Sequence, residues 1–247
     1  MSNGQTDGAS TKEVWTKQQE EEWQAFQSFQ KDYPLPYGVI ERSDKPDVLI
    51  HGDRKLGIEL TTLYILDGQD IASEQRQAKR REGVATRAQE LHAKAGGQPI
   101  ELAIGFNPEF PITDIEGLAH SLAEVAMYVQ RGEPGHVEQA TYDHLDCLDY
   151  MYFSGEWAKP RWFVQQSYSV PMLQVNRVRE IVADKIAKAK EYRSCDIYWL
   201  VITVDFWNPA QDQDIEWPVG ETIDYGPFDR VFLHKPAYQR VIQVPRA

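Results

Sequence analysis

Pro46-Asp47-Val48-Leu49-Ile50-His51-Gly52-Asp53-Arg54-Lys55-Leu56-Gly57-Ile58-Glu59-Leu60-Thr61 is the stretch on which the reading of this chain turns. Two apolar runs flank a Gly-Asp turn signal, so residues 46–61 read as a β-hairpin. With a three-residue loop, Gly52-Asp53-Arg54, His51 faces Lys55, and counting back along both arms sets Asp47 opposite Glu59. Side chains alternate along a strand. Val48, Ile50, Leu56, Ile58 and Leu60 therefore share one apolar face, while Asp47, Leu49, Gly57, Glu59 and Thr61 share the other. A two-residue loop would slip the register by one and set Asp47 against Ile58.

Directly opposed side chains on neighbouring strands lie roughly 5 Å apart, and like charges there are destabilising. An Asp–Glu pair in that position needs either solvent or a cation. A hard divalent ion such as Mg²⁺ takes one or two carboxylates and keeps room for phosphate oxygens.

An Asp after Pro at the start of one strand, then a Glu on the next strand after an apolar-Gly-apolar lead-in, resembles the PD-(D/E)XK nuclease superfamily. The resemblance implies an α/β fold: a mixed β-sheet flanked by helices, with a restriction-endonuclease-like α-β-β-β-α-β core and a C-terminal extension of the sheet. It also implies a metal-dependent nuclease that hydrolyses phosphodiester bonds, with Asp47 and Glu59 catalytic. Together with the backbone carbonyl of Leu60 they would hold Mg²⁺ or Mn²⁺. The family pattern continues Glu-x-Lys, whereas this chain reads Glu59-Leu60-Thr61, and Thr61 brings no positive charge. Gln75 and Lys79 stand four residues apart on the next helix, hence on one face. Relatives of the RecB type place a Gln and a Tyr at that spacing. Here Lys79 would restore the missing charge and orient the nucleophile, and Gln75 would hold Glu59 or a phosphate. A first-helix Glu joins the metal site in some members, which makes Glu22 a further candidate.

The 247 residues suffice for a substantial core. After a polar, Gly/Ser-rich leader at residues 1–11, residues 12–247 read as a single α/β domain. No run of about eighteen apolar residues occurs, and the N-terminus lacks the pattern of a secretory signal. A soluble, cytoplasmic protein without membrane contact is the expectation. Cys147 and Cys195 are far apart and in no Cys-x-x-Cys spacing, which suggests neither a disulfide framework nor a zinc site.

A net charge of −12 counts against indiscriminate nucleic-acid binding. The charge is uneven, however. Residues 73–94 and 174–193 each carry six Lys or Arg against three acids, whereas 196–229 holds eight acids and no Lys or Arg. Two basic helices beside the hairpin would form a local basic groove within an acidic exterior. The expected partner is nucleic acid, DNA ahead of RNA, and a homodimer is compatible with the sequence.

Along the chain, apolar spacing predicts a helix over 11–33 with Thr11 as N-cap, a strand at 38–41, the hairpin, a helix over 71–94 ended by Gly96-Gly97, and a strand at 99–106. A helix at 113–130 follows, with Thr113 and Glu116 as a capping box. Residues 161–170 suit a strand, 174–193 an amphipathic helix, and 196–205 a central buried strand. Residues 208–224 form a polar, acidic loop, and 230–233 and 240–244 read as closing strands. His136, Asp143, His144 and Asp146 lie close in sequence without metal-ligand spacing, and no Gly-x-Ser-x-Gly, P-loop or Gly-x-Gly-x-x-Gly pattern occurs. The alternative to an enzyme is a catalytically degenerate, nuclease-like scaffold acting as a binding or inhibitory protein, with Trp207 and Trp217 as interface candidates.

Overall fold

The computed structural model describes residues 15–247 except 67 and 167, so the expected leader and the expected cap at Thr11 lie outside the described residues. In chain order the elements are α1 (Lys17–Asp32), β1 (Val39–Arg42), β2 (Val48–His51), β3 (Lys55–Thr62), α2 (Glu74–Lys94), β4 (Ile100–Phe106), α3 (Ile115–Val129), β5 (Gly135–His136), β6 (Leu148–Glu156), β7 (Arg161–Val164), α4 (Val175–Lys188), β8 (Ile197–Thr203), β9 (Arg230–Lys235) and β10 (Arg240–Gln243). The protein is α/β, with a mixed sheet flanked by helices. Among the described residues no helix is long and apolar enough to cross a membrane. The described residues divide into two compact units. One comprises the chain up to Leu63 with Gln174–Phe206 and Ile215–Ala247; the other comprises Tyr64–Leu173 and Trp207–Asp214.

The first unit is built on a sheet in the order β1-β2-β3-β8-β9-β10. β1, β2 and β3 are antiparallel, β3, β8 and β9 run parallel, and β10 returns antiparallel to β9. The hairpin closes through Gly52-Asp53-Arg54 with His51 paired to Lys55 and Val48 to Ile58, the register of the three-residue loop. Its apolar face does what the alternation requires. Val48, Ile50, Leu56, Ile58 and Leu60 are buried with Phe26 and Phe29 of α1, and with Trp199, Val201 and Phe232. α1 starts at a capping box: the Thr16 hydroxyl accepts from the Gln19 amide at 3.2 Å, and the Gln19 side chain accepts from the Thr16 amide at 2.9 Å. β8 is central, as its apolar run demands, with Trp199, Leu200, Val201 and Ile202 all buried between β3 and β9.

The second unit has its own sheet, in the order β5-β6-β4-β7. α2 and α3 bury Val84, Ala85, Ala88, Leu122 and Ala126 with Leu102 and Ile104 of β4. This corrects the expected assignment of the core. β4 does not join the hairpin's sheet, because its hydrogen-bonding edges are taken by β6 and β7. The strand that extends β3 is β8, and the helix that precedes β8 is α4. α2 ends where expected, with Gly96 in the left-handed conformation at φ 81°. The cap of α3 falls one residue later than predicted: the Asp114 side chain, not Thr113, accepts from the Gly117 amide at 3.0 Å.

Candidate functional site

Asp47 precedes β2 by one residue. The last recorded pair is Val48 with Ile58, so the next step sets Asp47 across from Glu59. The approach of the two arms depends on Gly57. A Cβ there would lie 2.7 Å from the Pro46 ring, 3.0 Å from Tyr198 and 3.2 Å from the Cys195 sulfur. Pro46 therefore packs onto β3 and presents Asp47 beside Glu59. Asp47 Oδ2 accepts from the Leu60 amide at 2.6 Å.

Glu59 is 7 % exposed and its two oxygens are unequal. Oε1 accepts from Lys185 Nζ at 2.7 Å, while Oε2 is buried without a hydrogen-bond partner among the described residues. The same ammonium donates to the Leu60 carbonyl at 3.4 Å. Lys185 arises from the last turn of α4, whose buried Val178 and Val182 mark the face that turns inward. The Tyr192 hydroxyl, just beyond the helix, is likewise buried, and it interacts with the Glu59 carboxylate.

These groups surround a cavity of about 430 Å³. α1 contributes Gln19 and Glu22, the β1–β2 connection Asp44 and Lys45, and the segment from α4 onward Lys188, Glu191 and Tyr192. At its rim Lys45 pairs with Glu191 at 2.6 Å and Lys188 with Asp184 at 2.7 Å, both exposed. Inside, negative charge is crowded. Burial, and then the Glu59 charge, push the Asp47 carboxyl up to about 8 against the opposing pull of the Leu60 amide. Burial raises Glu59 as well, with Lys185 opposing it, and burial with the Glu59 charge raises the Tyr192 phenol. The arrangement thus has two carboxyl groups, one carbonyl, one paired ammonium and a buried phenol beside Glu59.

Of the residues expected at the site, Asp47, Glu59 and Leu60 come together, and Glu22 lines the same cavity. Gln75 and Lys79 belong to α2 of the second unit; Lys79 is exposed, and neither residue lines the cavity. The basic row of α2 is also engaged within its own unit. Arg76 donates to the Gln69 carbonyl, Arg80 to those of Ile112 and Thr113, and buried Arg81 pairs with Glu74. The ammonium that meets Glu59 is that of Lys185, a residue the sequence alone did not single out. A signal was there: 178, 182 and 185 follow i, i+4, i+7, so Lys185 falls within the apolar stripe of its helix. An ionisable residue in such a stripe needs a buried partner.

Among the described residues no group of three or more His, Cys, Asp or Glu side chains is arranged to hold a metal ion. His136 packs against the Tyr150 ring, and His144 lies 4.0 Å from Asp143 on the surface, so that quartet forms no centre. Asp47 and Glu59 remain as a carboxylate pair, which is a sufficient protein contribution for Mg²⁺ when water and phosphate supply the other ligands. Comparison with protein-family models, with curated proteins and with solved structures finds no match to this chain.

Proposed function

We propose that the first unit is a metal-dependent phosphodiesterase of the PD-(D/E)XK kind, acting on nucleic acid. The observation that carries this reading is the buried Oε2 of Glu59, without a hydrogen-bond partner, beside an Asp47 whose carboxyl is pushed up by burial and then by the Glu59 charge. A buried acceptor left without a donor is costly, and a bound cation removes that cost. The order of elements adds support. α1, β1, β2, β3, α4 and β8 run helix, three strands, helix, strand, which is the core order that the resemblance implies, once Tyr64–Leu173 is set aside as a separate unit.

In this reading Asp47, Glu59 and the Leu60 carbonyl hold Mg²⁺ or Mn²⁺. When bound, the ion neutralises the phosphodiester oxygens and acidifies an attacking water. The residues of the chain do the rest. Lys185, with a flexible stem and three N–H donors, takes the place of the motif lysine by orienting the nucleophile and offsetting charge on the phosphate. The buried Tyr192 hydroxyl, beside Glu59, is an O–H donor that a phosphate oxygen can take over. Lys45 and Lys188 at the rim meet the flanking phosphates of the strand, DNA ahead of RNA.

The test is Mn²⁺-dependent cleavage of a mixed DNA and RNA pool by the whole chain and by Asp47→Ala, Glu59→Ala and Lys79→Ala. Cleavage should require the metal, fall at least about a thousandfold in the first two variants, and persist in Lys79→Ala. An inert protein with no Mn²⁺ affinity would overturn the reading and leave the non-catalytic binding scaffold in its place.

A further inference from the structure

The Lys185 ammonium stands on the oxygens that the proposed activity assigns to a divalent ion. Nζ lies 2.7 Å from Glu59 Oε1 and 3.4 Å from the Leu60 carbonyl. Mg²⁺ requires such oxygens at roughly 2.0–2.1 Å. Even if the ion enters through the unpartnered Oε2, it shares the carboxylate and the Leu60 carbonyl with the ammonium. Two cations on one carboxylate and one carbonyl repel strongly in a site this buried. We propose that Lys185 is a cation place-holder: in the metal-free chain its ammonium stabilises Glu59 and Leu60, and a divalent ion binds by displacing it. This rests on the reading of the first unit as a cation-dependent phosphodiesterase.

The lysine stem makes the exchange feasible. Four methylenes allow the ammonium to swing while its base stays on α4, and Glu22 lines the same cavity as an alternative acceptor. A phosphate oxygen of the substrate is a further one. Displacement therefore couples the two ligands: a polyanion that draws Lys185 away from Glu59 favours the metal, and the metal favours the polyanion by the same factor. Metal affinity in the absence of substrate is lowered by the fraction of molecules in which Lys185 already stands aside.

Mn²⁺ titration without substrate, followed by electron paramagnetic resonance, tests this on the full chain and on Lys185→Met and Lys185→Gln. Both variants should bind Mn²⁺ about tenfold more tightly or better. Equal or weaker affinity would overturn the place-holder role while leaving the activity reading intact, provided the wild type binds Mn²⁺ and cleaves. A wild type that neither binds nor cleaves would overturn both. If neither variant folds, the decision passes to the wild type: the ¹³Cε resonance of Lys185 must shift on saturation with Mg²⁺, and an unmoved resonance would overturn the proposal.

Discussion

Asp47→Asn should stabilise the protein at pH 8 by more than it does at pH 5. The reasoning starts from a carboxyl pushed up to about 8 by burial and by the neighbouring Glu59, against an ordinary value of 3.8. Between those two values the folded chain holds a proton on Asp47 that the unfolded chain has released. Stability is therefore full below the unfolded value and is lost as pH rises through the folded one. One proton changes stability by at most about 1.4 kcal/mol per pH unit, so from pH 5 to pH 8 the ceiling is about 4 kcal/mol. Coupling to Glu59 spreads the titration over both acids, and a realised difference of about 2 kcal/mol is expected. Asn keeps the geometry, because its side-chain oxygen can still accept from the Leu60 amide, now bonded to Asp47 at 2.6 Å. Hydrogen exchange of the β3 amides in increasing urea, at both pH values, reads the stability of the unit that contains the site. Comparing variant with wild type at each pH cancels other titrations. One such is buried His234, which burial holds below the usual histidine value and which acts in the opposite sense, losing stability as pH falls. If Asp47→Asn destabilised the chain by more than about 1 kcal/mol at both pH values, the ionised carboxylate would be well compensated and the crowded-charge account would be wrong.

Two further predictions concern packing. In the second unit Arg81 is 3 % exposed, donates twice to Glu74 at 2.7 and 2.8 Å, and shares that carboxylate with the Tyr168 hydroxyl. Arg81→Met should cost about 3 kcal/mol in urea unfolding, and Glu74→Leu added to it should recover much of the loss; a cost below about 1 kcal/mol would argue against a buried pair. Gly57→Ala places a methyl 2.7 Å from the Pro46 ring, and should cost about 1–3 kcal/mol. Because Pro46 seats Asp47, Gly57→Ala should also weaken Mn²⁺ binding in the same titration, and unchanged stability with unchanged affinity would show that the ring yields freely.

What could be read without coordinates is local. The alternation of Val48, Ile50, Leu56 and Ile58, together with the Gly-Asp turn, determined the hairpin and its apolar face, and left two registers, of which the structure has the one that sets Asp47 across from Glu59. The hairpin and that face are consequences of a period-two backbone and a short loop, and they need no knowledge of the rest of the chain. The apolar run at Ile197–Thr203 likewise announced a buried strand. The caps, decided by one or two side chains, were legible to within a residue for α3.

Which strand lies beside β3, and which helix brings the cation, were decided only by the tertiary structure. Periodicity tells a segment which face to bury and not which partner to choose. β4 and β8 carry comparable apolar runs, yet one pairs with β6 and β7 and the other with β3 and β9. Parallel pairing of β3 with β8 joins residues separated by the whole of Tyr64–Leu173, so no local rule reaches it. Lys79 is the lysine that chain order offers to Glu59, because its helix comes next after β3. Glu59 is instead met by Lys185, since a buried carboxylate is compensated by whichever ammonium the packed helix beside it delivers, however far along the chain that helix arises.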